Sequence, residues 1–371
     1  MAKRKDRMDT GQLTAGTQAE RDQFEQYAEK CVLWNEYYLN LIDWSDPHDP
    51  IQKLILPNGD ELNMMDRIWA AVNEFPNGAE INRGGDCFRI RLSSDEALTD
   101  SEIEAGLQQI AANSEISSVM LTGEDGLTLT TPKLRDILTK ASEIDHVRII
   151  RFGSRMPVMN PMRIYEDEDL LETIKQHSSS EKRIYVMAHI NHPRELTAEA
   201  KRGFTALQQA GAVVVNQTPV LKGINDDPDV LSDLLDQLSW AGVTPYDLFI
   251  HRPEADNSDS GLPLSEAYRI VEQAKARTSG LGKRVRLSMS HPSGKIEIVA
   301  IKDGKAYLKY LRSGHMLTID CPEEASWFDD LPDHEQDWNQ PEKEAGSNAS
   351  ADVPEPKTWQ QTRSTWHVIH D

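Results

Sequence analysis

The sequence predicts an α/β fold: a partial (βα)6-type, TIM-like barrel with an N-terminal helical segment and a C-terminal β-hairpin. Three observations carry that reading. Apolar, β-branched runs recur at intervals of about thirty residues from Cys87 onward. An amphipathic helical stretch separates each run from the next. After Pro292 the alternation stops, and the turn dipeptide Asp303-Gly304 sits between two strand-like runs.

Taken in order, residues 1–20 are polar and read as disordered. Residues 21–86 read as a helical segment, because AERDQFEQYAEKCVLWNEYYLNLI spaces its apolar residues three and four apart. Asp46-Pro47 and Asp49-Pro50 break it with turns. Residues 87–291 form the barrel, with strands FRIRLS, ISSVMLT, HVRIIRF, RIYVMAHI, AVVVNQ, YDLFIH and RVRLSM. Buried parallel strands with right-handed crossovers satisfy this pattern. About six βα units fall short of the eight that close a barrel, and a doubly wound open sheet is the competing topology. Residues 292–321 carry the hairpin and Lys295. Residues 322–371 are acidic, rich in Pro, Ser and Asn, and read as a disordered tail. Its aromatic end, KTWQQTRSTWHVIHD, is a candidate docking element for a protein partner.

Charge narrows the function classes. The 371 residues carry 40 Lys plus Arg against 61 Asp plus Glu, a formal net charge of −21. That field repels phosphate backbones and anionic lipid, so nucleic acid and membrane surfaces are excluded as partners. No run approaches the roughly 18 apolar residues of a membrane helix. The basic start MAKRKDR has no apolar segment behind it, so it does not read as a secretory signal. Cys31, Cys87 and Cys321 are far apart and frame no disulfide pattern, which suits a reduced, cytosolic protein. A homo-oligomer is compatible with all of this.

Ligands of such barrels meet the C-terminal ends of the strands. Those ends here offer Arg89 and Arg91; Gly123, Glu124 and Asp125; Ser154 and Arg155; His189, Asn191 and His192; Asn216 and Gln217; His251 and Arg252; and Ser290 and His291 leading to Lys295. His189 and His192, with His251, His291 or Asp125, have the residue types of a metal site; hydrogen bonding to loop backbone is the favoured alternative. Glu124 and Asp125 are either a general acid/base pair or helix caps. Lys295 follows the flexible lead Pro292-Ser293-Gly294, which suits an inward-reaching amine.

At these same residues the chain resembles the lysine 2,3-aminomutase family, the PLP-dependent branch of the radical SAM enzymes. The likeness rests on YYLNLIDWSDPHDPIQKL, RFGSRMPVMNPMRI, HINHPRELT, VNQTPVLKGINDD, HPSGK and YLKYLRSG, collinear from about Tyr37 to Asp320. It implies that Lys295 matches the PLP lysine, Arg89 the arginine that grips the substrate α-carboxylate, and Asn216 and Gln217 a strand end that contacts SAM. Gly123 and Asp125, with Ser154 and Arg155, fall at the neighbouring cofactor-facing ends. The family also carries Cys-x3-Cys-x2-Cys for its cluster. Here that stretch reads Glu80-Ile-Asn-Arg-Gly84-Gly-Asp-Cys87, so Cys87 alone remains. One thiolate cannot hold a [4Fe–4S] cluster that needs three. The expectation is therefore no metal cluster and no SAM chemistry, while Lys295 keeps PLP open. Arg252 and Ser290 fall near positions where lysine-specific members carry aspartates, which implies an anionic ligand or acidic amino acid.

Four readings follow: a diverged aminomutase relative with an amino-acid or PLP pocket, a non-catalytic scaffold (a pseudoenzyme), a metal-dependent hydrolase or lyase, and an active aminomutase-type isomerase.

Overall fold

Apolar strand runs and amphipathic helices alternate along the chain in the computed structural model, which describes residues 35–55, 80–81, 87–92, 96–123, 125–250, 262–291, 294–311 and 313–331. Among these residues eleven strands form one sheet whose spatial order follows the chain order. They are β1 (Glu80–Ile81), β2 (Cys87–Leu92), β3 (Ser118–Gly123), β4 (Ile149–Ser154), β5 (Arg183–His189), β6 (Val213–Pro219), β7 (Thr244–Ile250), β8 (Arg286–His291), β9 (Gly294–Lys302), β10 (Lys305–Tyr310) and β11 (Met316–Asp320). From β2 to β8 every neighbouring pair is parallel. β1 pairs antiparallel with β2, and β9 to β11 add an antiparallel ribbon beyond β8.

The helices are α1 (Glu36–Leu39), α2 (Pro50–Ile55), α3 (Glu96–Ala112), α4 (Thr131–Ser142), α5 (Met156–Met159), α6 (Met162–Tyr165), α7 (Glu168–His177), α8 (Ala198–Gln209), α9 (Pro228–Trp240) and α10 (Leu264–Arg277). Each crossover from β2 to β8 contains at least one of them. An unbroken sequential order has no reversal point, which a doubly wound sheet requires. The competing topology is therefore corrected. The sheet is an open one, since its terminal strands β1 and β11 share no ladder.

Apolar periodicity explains the packing. α9 buries Leu231, Leu234, Leu235 and Leu238, one stripe at helical spacing. Val119, Leu121, Ile150, Phe152, Ile184 and Val186 are buried on successive strands. Such near-continuous burial is expected of parallel strands covered by helices. Asp303 (φ 52°) and Gly304 (φ 70°) both adopt the left-handed backbone, so the predicted dipeptide does turn β9 into β10.

Two expectations needed revision. The hairpin gains a third strand, β11, pairing Leu308 with Leu317. The acidic tail was expected to be disordered from 322, yet Ala325, Trp327, Phe328 and Leu331 are buried. The Leu264 amide also donates to the Ala325 carbonyl at 2.7 Å. Composition averaged over fifty residues hid this short apolar cluster at its start. Residues 1–34, 56–79 and 332–371 lie outside the described residues, as do the expectations placed on them. No helix among the described residues is long and apolar enough to cross a membrane.

Candidate functional site

The strand ends from β4 to β9 gather most of the buried polar groups. Side chains alternate across a strand, and on β7 an apolar run is interrupted by Asp247, only 2 % exposed. Ser288 on β8 donates to it, with both Asp247 carboxylate oxygens at 3.0 Å from its hydroxyl. Lys295, at the start of β9 and in register with Ser290, reaches across and pairs its ammonium with Asp247 Oδ2. Burial raises the Asp247 carboxyl above its ordinary range, and Lys295 opposes the rise. The pair is thus held by proximity and by Ser288 rather than by solvent.

His189, at the end of β5, is buried and pushed down to about 3, first by loss of solvent and then by the charges of Arg155 and Lys295. It is therefore a neutral imidazole that feels two cations. Arg155, just after β4, is 5 % exposed and also acts on Asp125, Glu195 and Tyr38. Arg155 after β4 and Lys295 on β9 thus both bear on one buried group. A metal cation would meet two positive charges at His189. His192 instead caps a short turn, its Nδ1 accepting from the Arg194 amide at 3.2 Å. Among the described residues no group of three or more His, Cys, Asp or Glu could hold a metal ion.

Asp125 neither caps a helix nor faces open space. Its carboxylate accepts from the Leu127 amide at 2.9 Å and the Arg155 amide at 2.5 Å. It thereby ties the loop after β3 to the end of β4. Gly126 makes this close approach feasible, since a Cβ there would sit 2.9 Å from Phe152 Cβ. Ser154 is buried, and its hydroxyl accepts from the Met156 amide at 3.0 Å. Asn216 is spent on its neighbours: its Oδ1 accepts from the Ile190 amide at 3.0 Å, and its Nδ2 donates to Thr218 at 2.7 Å. Gln217, beside it, is half-buried. Ser290 is exposed.

The N-terminal segment closes over the loops after β4 and β5. Asn35 donates to the Met159 carbonyl at 2.7 Å, and Tyr38 to Glu195 at 2.7 Å. Glu195, buried, also accepts from the Asn191 and His192 amides at 2.6 and 2.9 Å. Asp49, fully buried, pairs with Arg194 at 2.5 Å.

The structure therefore brings Lys295, Arg155, Ser154, Asp125 and Asn216 to neighbouring strand ends. In the unliganded chain the Lys295 ammonium is compensated by Asp247. The side chains of Arg89 and Cys87, the burial of Gly123 and all of Arg252 lie outside the described residues. Sequence reasoning missed Asp247, Ser288, Glu195 and Tyr38. An aspartate inside the apolar strand PYDLFI was the available signal, because an unpaired charge is rarely buried.

No family model matches the chain. Over 340 residues, 84% of this chain, it is 39% identical to an Aquifex aeolicus protein named "Putative L-lysine 2,3-aminomutase", covering 90% of that protein. The chain belongs to the lysine 2,3-aminomutase family. Other members of the family match with less coverage. The L-lysine 2,3-aminomutase of Clostridium subterminale is 30% identical over 266 residues, 66% of this chain and 62% of the relative. The glutamate 2,3-aminomutase of Clostridioides difficile has the same identity and coverage. Membership agrees with the resemblance carried by the strand-end motifs. Glu80 is a strand residue in register with Arg89, and Cys87 opens the partner strand.

Proposed function

We propose that this aminomutase-family chain binds an amino acid or a PLP-type ligand in a partial barrel mouth built around Lys295, and does so without iron–sulfur and SAM chemistry. The observation that carries the reading is the Lys295–Asp247–Ser288 cluster, which joins the middles of β7 and β8 to the start of β9; Lys295 and Arg155 both act on His189.

The residues do not fit the cluster. Glu80 takes part in the β1–β2 ladder, and Cys321 is buried beyond β11, with its thiol raised by loss of solvent and turned to the Pro322 carbonyl. A site-differentiated cluster requires three thiolates, so no step is drawn through it or through SAM. The residues do fit PLP: Lys295 offers an amine, Asp247 and Ser288 aim it, and Arg155 adds positive charge near a phosphate or carboxylate. PLP, when bound, would supply an electron sink for an amino-acid carbon. The chain's own part is to position, to hold charge and to exclude water at the buried Asp247–Ser288 pair.

An acidic amino acid suits this mouth better than lysine. Arg155 and Lys295 supply cations, and Arg252 follows where lysine-specific members carry an anion. Calorimetry with glutamate, aspartate, lysine and PLP on the full chain tests the reading. Wild type should bind PLP or an acidic amino acid, and Lys295→Ala should bind at least tenfold more weakly, as expected on losing a charge-assisted contact worth about 1.5–3 kcal/mol. Anaerobic reconstitution should leave far fewer than the roughly four irons per chain of a [4Fe–4S] cluster. Failure to bind any of the four ligands would favour the scaffold reading, in which Asp247 permanently occupies Lys295.

A further inference from the structure

Lys295 has a dedicated partner, and that partner is unusual in where it sits. Asp247 lies in the middle of a parallel strand, 2 % exposed, between the exposed Tyr246 and the buried Leu248. A buried carboxylate without a cation is costly. The strand supplies none of its own, and the cation arrives from β9, an antiparallel strand forty-eight residues further on. Ser288 donates to the carboxylate from the strand between them, equidistant from its two oxygens at 3.0 Å. Three adjacent strands thus contribute one group each to a single arrangement. The ion pair is asymmetric: the Lys295 side chain is 30 % exposed, so the pair has its anion inside and its cation at the mouth.

We infer that Asp247, aimed by Ser288, is a positioning residue that docks Lys295 as an ammonium in the unliganded protein and withholds its amine. A ligand reaches that amine only by loosening the pair. The inference goes beyond the binding proposal, since it concerns Lys295 before any ligand is present. It depends on that proposal only for the use made of the released amine. The charged and titratable groups bearing on the pair are Arg286 on β8, which acts on Asp247, and His189 on β5, which feels Lys295 and Arg155. His189 is neutral and Arg286 is a cation. Neither can replace Asp247 as counter-ion.

The experiment is competitive acetylation of the folded full chain with acetic anhydride, read by peptide mass spectrometry between pH 6 and 10. Lys302, exposed at the far end of the same strand, is the internal reference. In wild type, Lys295 should label well behind Lys302. Asp247→Asn should raise the Lys295-to-Lys302 ratio at pH 8 roughly tenfold, the scale of one lost charge-assisted partner. Ser288→Ala, which keeps the carboxylate but not its aim, should raise the ratio by a smaller factor. This second variant keeps the test decisive if Asp247→Asn fails to fold, as judged by circular dichroism and melting. Equal labelling of Lys295 and Lys302 in wild type overturns the inference. So does an unchanged ratio in whichever variants fold. A parallel arm treats each protein with PLP and borohydride and looks for added mass on Lys295. No added mass in any variant removes the PLP proposal, and the acetylation arm still decides the role of Asp247.

Discussion

The most strained electrostatics of this protein belong to single buried residues, and they tilt its stability against pH in opposite senses. His189 is held at about 3 and His192 at about 4, both chiefly by loss of solvent. An unfolded histidine titrates near 6.5, so below that pH the unfolded chain takes up protons that the folded chain refuses. Stability from these residues is complete above about 6.5 and is lost as pH falls toward the folded values, at up to about 1.4 kcal/mol per pH unit for each. Asp125, Glu195 and Asp247 are raised instead, again first by burial. Their contribution is present at acid pH and is lost as pH rises through their folded values. Melting temperatures between pH 5 and 8 should therefore fall less steeply on acidification in His189→Asn than in wild type. A His189→Asn curve parallel to wild type would show that His189 is not charge-excluded. At this scale the sequence was only partly legible. Lys295, Arg155 and Asp125 stand out by type and place, but pairing is a property of register across strands. Nothing in PYDLFI says that its aspartate meets a lysine forty-eight positions later.

Elements were easier to read, because periodicity is local. The strand runs from FRIRLS to RVRLSM became β2 to β8, and the helical stretches between them became crossover helices. The short β1 and β11 were missed, since two and five residues give too little alternation to register. The N-terminal segment shows what local pattern cannot supply: its helices α1 and α2 are short, and long-range polar contacts hold them. Arg194→Met should test this directly. It leaves the Asp49 carboxylate buried without its cation, a defect worth about 3–5 kcal/mol in other proteins. The expected result is early proteolytic cleavage within residues 35–55 while the sheet still melts cooperatively. Cleavage no faster than wild type would mean that Asp49 is held well enough by the Asp43 and Gln52 amides at 3.1 and 2.8 Å. A milder case is the cap of α9, where Asp227 accepts from the Asp229 and Val230 amides. Asp227→Ala should cost about 1 kcal/mol in denaturant unfolding.

For the molecule as a whole, fold class was legible and extent was not. Average composition assigned everything after 321 to a tail, whereas burial continues through Leu331. A chain ending after Leu331 should melt near the full-length temperature. One ending after Cys321 loses Trp327 and Phe328 from the core, and should lose several kcal/mol at the scale of about 3–5 for a large aromatic. Similar melting of the two would show that these aromatics add nothing. The sequential strand order has a further consequence, for the order of assembly during translation. Every strand hydrogen-bonds the strand made just before it, so each can join a growing edge as it leaves the ribosome, with short loop closures throughout. Asp247 is made on the seventh strand, forty-eight residues before Lys295. Until β9 is added, that carboxylate lacks its direct counter-ion and has only the more distant charge of Arg286 on β8. Emergence of Lys295 on β9 then supplies the direct counter-ion, two strands before the sheet reaches its final edge at β11.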